Sequence, residues 1–162
     1  MSLFVCLAAV GRLKEEYWRK AAAEYTRRLG GYLRLELLEV DDVAPARVGS
    51  LTKALATEAR SLRRALAVLP QAQKSCSVAL DISGTPFSSE EIATLLQENA
   101  RVGTALVFYI GGPCGLDADI RHSANVRLSF GPLTLPHNLA RVVLLEQLYR
   151  ACKINRAEPY HR

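Results

Sequence analysis

The run Thr104-Ala105-Leu106-Val107-Phe108-Tyr109-Ile110 carries no charge and no polar alternation. A strand of that kind is covered on both faces, because a face turned to water shows polar residues at every second position. Leu3 to Ala9 is a second near-continuous apolar run. Strands buried on both sides need helices above and below them, and the segments between supply helical patterns. Leu13, Tyr17, Ala21, Tyr25 and Leu29 recur at a spacing of four, and Gly30-Gly31 ends that stripe. Leu33, Leu35 and Leu37 against Glu36 and Glu39 predict a half-exposed strand through Val40, and 41–50 reads as a loop.

The same alternation continues to the C-terminus. Leu51, Leu55, Leu62, Ala65, Leu66 and Leu69 predict a helix over 51–69, closed by Pro70, with Arg60, Arg63 and Arg64 on its other face. Ser77 to Ile82 reads as a strand, and Ser88 with Glu91 as a capping box for a helix through Asn99. A short helix over 117–123 and a short strand over 126–130 follow, and Pro136-His137-Asn138 opens a final helix. Its core candidates are Leu139, Val142, Val143, Leu145 and Leu148, and Ala157 to Arg162 reads as a polar tail. The expected fold is α/β, a mostly parallel sheet with helices on both faces, in a single domain spanning 1–162. At 162 residues and 49% hydrophobic positions the chain is long and apolar enough for one core, which excludes disorder. Charges interrupt every apolar run well short of a bilayer span, and no basic region precedes the first one. A soluble cytoplasmic protein with no membrane partner is expected.

Four cysteines, Cys6, Cys76, Cys114 and Cys152, show no Cys-x-x-Cys pair and no histidine at zinc-ligand spacing, so no metal is expected. Net charge is +5, and Arg141 to Arg162 alone contributes +3 of it, a weak pointer to a polyanionic partner. In open parallel sheets ligands bind beyond the carboxyl ends of the strands. That rule singles out Asp81 to Gly84, Gly111 to Gly115 and Gly131 to Pro136 as three loops lining one pocket. The glycines lack the Lys-[Ser/Thr] of a phosphate loop. They fit either a tight turn or a close approach of backbone to ligand. Gly131-Pro132-Leu133-Thr134-Leu135-Pro136 offers apolar side chains and free backbone groups suited to a flat aromatic ligand such as adenine, or to burial against a partner subunit. His137 either starts the last helix or touches the ligand, and His122 reads as a surface residue. Tyr160, His161 and Arg162 combine stacking, proton transfer and anion binding in three positions.

Several of these blocks together resemble the ribosomal large-subunit methyltransferase H family, small members of the SPOUT (α/β-knot) superfamily. The matching pieces are Leu80-Asp81, Gly111-Gly112-Pro113-x-Gly115, Leu133-Thr134-Leu135-Pro136-His137, Arg141-Val142 with Glu146-Gln147-Leu148-Tyr149-Arg150-Ala151, and Pro159-Tyr160-His161-Arg162. Ala9-Val10-Gly11 and Glu24-Tyr25-x-x-Arg28 fit too. The resemblance implies a C-terminal trefoil knot, a homodimer, and S-adenosylmethionine bound by Leu80, Gly112, Gly131, Pro132, Leu133, Thr134, Leu135 and Pro136. It implies methylation at N3 of a pseudouridine in 23S rRNA on the assembled ribosome. His161 is then the proton acceptor, with Tyr160 and Arg162 folding over the cofactor from the other subunit. Arg150, Arg141 and His137 contact substrate base or phosphates. Cys114 stands where that family commonly has an acidic residue, and Phe130-Gly131-Pro132 departs from its usual Ser-rich approach. The alternatives are a non-catalytic ribosome- or RNA-binding protein that keeps the knot fold, and a flavodoxin-like nucleotide-binding module.

Overall fold

A computed structural model describes residues 2–69 and 74–161. Its elements are β1 (Phe4–Val10), α1 (Glu16–Leu29), β2 (Arg34–Val40), α2 (Pro45–Val48), α3 (Leu51–Leu66), β3 (Ser75–Pro86), α4 (Ser89–Arg101), β4 (Ala105–Ile110), α5 (Ala118–Ser123), β5 (Val126–Ser129) and α6 (His137–Asn155). The five strands form one sheet in the order β2-β1-β4-β3-β5, every pairing parallel. The two apolar runs occupy neighbouring strands, with Leu7 opposite Phe108. This is why neither shows polar alternation.

Two cores lie on the two faces. Val5, Leu7 and Ala9 with Leu106, Phe108 and Ile110 pack under α1, α4 and α6. Ala8, Val10 and Ala79 pack under α3 and α5 through Ala59, Leu62 and Ile120. The capping box at Ser88 forms as the spacing predicts, its hydroxyl accepting from the Glu91 amide while Glu91 accepts from the Ser88 amide.

Several expectations are corrected. The loop over 41–50 contains the short helix α2, which Pro45 starts and Gly49 ends at φ +91°. Helix α3 buries Ala54, Glu58, Ala59 and Leu62, whereas Leu51 is exposed. The buried stripe is therefore offset from the leucine pattern, because α3 lies on a face of small residues. Pro70 lies outside the described residues. Strand β3 runs past Ile82 to Pro86, with an irregular register against β5 between Leu80 and Thr85. Leu37 on the edge strand β2 is exposed.

The segment after β5 positions the rest of the molecule. From the sheet edge it returns past the ends of β3 and β4 and starts α6 against Gly11, at the end of β1. Arg141, one turn into α6, is buried there. Its guanidinium donates to the Gly11 carbonyl (2.9 Å) and pairs with Glu39 at the end of β2. The expected RNA contact at Arg141 is thereby replaced by a structural one, since a side chain only 6% exposed and bound on two sides has no surface to offer. Among the described residues no helix is long and apolar enough to cross a membrane.

Breaking a buried ion pair from one side leaves the remaining groups desolvated and unpaired. Arg141→Ala is expected to lower unfolding free energy by about 3 kcal/mol in a denaturant titration, at the strong end for a single substitution.

Candidate functional site

The carboxyl ends of β3, β4 and β5 meet in a cleft of about 900 Å³. All three segments singled out in the sequence reach it, although 81–84 proves to be part of β3 and not a loop: Asp81 and Ile82, Gly111 to Gly115, and Gly131 with Leu133 to Pro136. Leu80, Ile110, Leu116 and Leu128 give it an apolar floor, and Leu51 and Leu55 of α3 close one side. His137 and Ala140 bring the start of α6 to its rim.

Local chemistry explains the glycines. Gly111 packs so closely on the Gly115 backbone that a Cβ would lie 2.5 Å from a carbonyl carbon, and the Gly115 amide donates to the Gly112 carbonyl at 3.0 Å. The segment is thus both a tight turn and a cleft wall. At Gly131 φ is +102°, and the Ser129 hydroxyl accepts from its amide at 3.0 Å. Beyond that point the Leu133, Thr134 and Leu135 amides find no hydrogen-bond acceptor among the described residues. Unpaired backbone donors above an apolar floor suit a flat ligand with a polar edge, such as adenine. Leu51, Ile82 and Leu133 remain exposed around the mouth. Cys114 is exposed on the cleft wall.

One flank of the cleft is charged. Asp81 accepts from both Nε (3.0 Å) and Nη2 (2.7 Å) of Arg127, and from the Ser83 amide and hydroxyl. Burial alone pushes the Asp81 carboxyl up, but these hydrogen bonds outweigh it and hold the group below the usual carboxylate range. Arg121 of α5 stands beside it, Nη1 3.7 Å from Asp81 Oδ2. Sequence reasoning missed this pairing. Arg121 and Arg127 lie on different elements from Asp81, and no local pattern links them.

The expected catalytic residues lie elsewhere. Arg150 is 13 residues into α6 from His137, about 20 Å along the helix axis. After α6, Ala157 adopts φ +51° and turns the chain back, so the tail is clamped and not free as its composition suggests. Tyr160 stacks edge-on against Tyr149 (4.9 Å between centroids), under the Arg150 guanidinium. Glu146 holds both, accepting from Arg150 Nη2 (2.6 Å) and the Tyr160 hydroxyl (3.1 Å). Burial, with Tyr25 and Glu146 alongside, pushes the Tyr160 phenol up to about 12, so it stays protonated near neutrality. His161 Nε2 lies 2.8 Å from Glu90 and Nδ1 3.5 Å from Arg150. Glu146 was legible as an i,i+4 partner of Arg150. Glu90 on α4 was not. Arg162 lies outside the described residues, and His122 is on the surface as expected. One chain therefore brings Leu80, Gly112, Gly131 and 133–137 together, leaves Pro132 exposed outside the cleft lining, and gathers Arg150, Tyr160 and His161 at the opposite end of α6.

A model of the predicted SPOUT methyltransferase family matches residues 3–161. The structure is similar to a probable methyltransferase from Bordetella pertussis Tohama I at 17% identity, covering 93% of both chains with a TM-score of 0.54, which bears on the fold alone. It also overlaps the SpoU methyltransferase AviRb from Streptomyces viridochromogenes, solved with AdoMet, at 12% identity and TM-score 0.48. There it covers 98% of this chain but 60% of that one. TrmJ from Z. mobilis ZM4 gives 18% identity and TM-score 0.46, over 92% and 68% of the two chains. Neither of these last two likenesses is close enough to carry an argument.

His137 gives the rim a pH signature. Burial first and then Arg141 push its imidazole down, against smaller opposing effects of Asp42 and Glu15. The unfolded chain therefore binds a proton more readily than the folded one, and stability is lost as pH falls below about 6.5. His137→Asn is expected to flatten that fall, which unfolding midpoints measured from pH 7.5 to 5 will show.

Proposed function

The chain belongs to the SPOUT methyltransferase family, and on that premise we propose that it methylates N3 of a pseudouridine in large-subunit ribosomal RNA on the assembled ribosome, with S-adenosylmethionine as donor. The observation that carries the reading is the cleft, where two glycine- and proline-bearing loops and the Leu80–Ile82 stretch of β3 surround an apolar floor, beside Leu133 to Leu135 amides that have no acceptor among the described residues. These features fit the cofactor: Leu80, Gly112 and the segment from Gly131 to Pro136 hold its adenosine part. Bound there, S-adenosylmethionine supplies an electrophilic methyl group on a sulfonium centre. The reading includes the trefoil knot, supported by the return of the chain from the β5 edge to the end of β1.

Methyl transfer needs alignment and removal of the N3 proton. His161 is the acceptor. With Nε2–H donated to Glu90, its Nδ1 lone pair faces Arg150 Nη1 at 3.5 Å, so Nδ1 takes the proton once that guanidinium turns to the base. Arg150 beside it stabilises the N3 anion, and Tyr160 packs against the base.

The distance along α6 makes the site dimeric. Antiparallel packing of α6 on a second copy places the tail of one subunit at the cleft of the other. The helix suits such packing because Leu139, Ala140, Val142 and Val143 leave apolar surface half-covered around its first turns.

Deleting residues 160–162 is expected to abolish methylation of ribosomes from a methylation-deficient strain, while calorimetric binding of S-adenosylmethionine changes less than about threefold, under 1 kcal/mol. Mixing that deletion with a full-length subunit carrying Gly112→Val restores about a quarter to a half of the activity through one intact composite site. No recovery on mixing overturns the shared site. Saturable cofactor binding with no turnover by the full-length protein favours the non-catalytic RNA-binding alternative.

A further inference from the structure

The positive charge that the sequence concentrates in 141–162 is engaged within the fold. Arg141 pairs with Glu39, Arg150 with Glu146 and Lys153 with Glu158. Arg156 lies over the Tyr32 ring and donates to the Gly31 carbonyl at 3.3 Å. A polyanion finds little open charge there.

Helix α3 is different. Lys53, Arg60 and Arg64 fall at i, i+7 and i+11, one line along a helix, and all three are exposed, with Arg63 exposed alongside. The line runs opposite the buried stripe of Ala54, Glu58, Ala59 and Leu62. The one acid of α3, Glu58, sits in that buried stripe and accepts from the Val43 amide at 2.8 Å. No carboxylate of α3 therefore stands among its cations. None of the four forms an ion pair among the described residues, and Arg60 donates to the neighbouring Thr57 hydroxyl at 3.1 Å. Helix α1 shows the contrast, because its exposed Lys20 and Arg27 pair with Glu16 and Glu24. A face kept for solubility mixes its signs in that way. Arg60 and Arg64, four positions apart, repel each other instead, at a small cost to the helix that bound anions remove.

Position selects the anion. Leu51 and Leu55 make the first turns of α3 a wall of the cleft, and Lys53 stands on the outer side of the same turns. From there to Arg64 the line runs about 16 Å away from the mouth. Helix α3 also covers the sheet face opposite α1, α4 and α6, so packing of α6 on a second copy leaves it open. Resting on the RNA-methylating reading above, we propose that Lys53, Arg60 and Arg64 hold the phosphate backbone of the ribosomal RNA next to the target base. A base that enters the cleft leaves its phosphates outside, and a strand continuing from the mouth meets Lys53 first. Such contacts fix the register of the RNA and read no sequence.

The test measures binding and methylation of ribosomes from a methylation-deficient strain, with potassium chloride varied from about 50 to 200 mM at fixed magnesium. The triple variant Lys53→Gln, Arg60→Gln, Arg64→Gln is expected to lower the slope of log affinity against log salt by about two to three, at about 0.7 to 0.9 per phosphate contact. Its KM for ribosomes rises at least tenfold near physiological salt, while kcat and calorimetric binding of S-adenosylmethionine change less than twofold. Arg60→Lys with Arg64→Lys keeps the slope, because a phosphate accepts a point charge. Lys20→Gln with Arg27→Gln, which strips two cations from α1, leaves KM unchanged. An equal effect of the α1 pair, or a fall in kcat at constant KM, overturns the assignment. Lost affinity with an unchanged slope moves the contact to a ribosomal protein and overturns it too. If the full-length protein neither binds nor methylates ribosomes, the substrate reading itself fails and takes this inference with it.

Discussion

The buried Arg141 guanidinium fixes where α6 begins, and the rest of the site follows from that anchor. By joining Gly11 at the end of β1 to Glu39 at the end of β2, it pins the first turn of α6 over the carboxyl end of the sheet. A charge taken out of water persists only where its partners are held in place. The partners are backbone and edge strand, so the helix start is coupled to the sheet itself. Pro136 and His137, immediately before it, are thereby placed at the rim of the cleft.

The other end of α6 is anchored by different physics. Tyr25, Tyr32, Tyr149 and Tyr160 meet at tilted and edge-on angles, interleaved with Arg28, Arg150 and Lys153. Glu24, Glu146 and Glu158 pair with those three cations. A helix clamped at both ends is a stiff spacer, which the proposed composite site requires if a residue at one end is to be held against a cleft at the other. The cleft needs a different balance. Its Leu133 to Leu135 amides have no acceptor among the described residues and lie on a largely exposed loop, where water can satisfy them.

Much of the fold was legible because period and burial act locally. The run from Thr104 to Ile110 announced a central strand, and the Ser88–Glu91 pair announced a helix start. The loops after β4 and β5 followed from the general geometry of parallel sheets, and they border one cleft together with Leu80 to Ile82 of β3. The irregular course of β3 after Leu80 was not legible, since a register shift depends on the neighbouring strand. The leucines of α3 also misled: burial there follows the small residues that let the helix approach the sheet.

The sequence by itself determined the order of strands and helices, the loops that carry ligand-binding backbone, and the residue types available for chemistry. Only the tertiary structure decided what each charged side chain does. Arg141 and Arg121 look alike in the chain, yet one is locked between Gly11 and Glu39 and the other stands beside Asp81 in the wall of the cleft. It likewise separated Tyr160 and His161 from the cleft of their own subunit. The physical reason is the range of the forces: periodicity and capping act within a few residues, whereas desolvation and ion pairing depend on partners that lie 40 to 130 positions away along the chain.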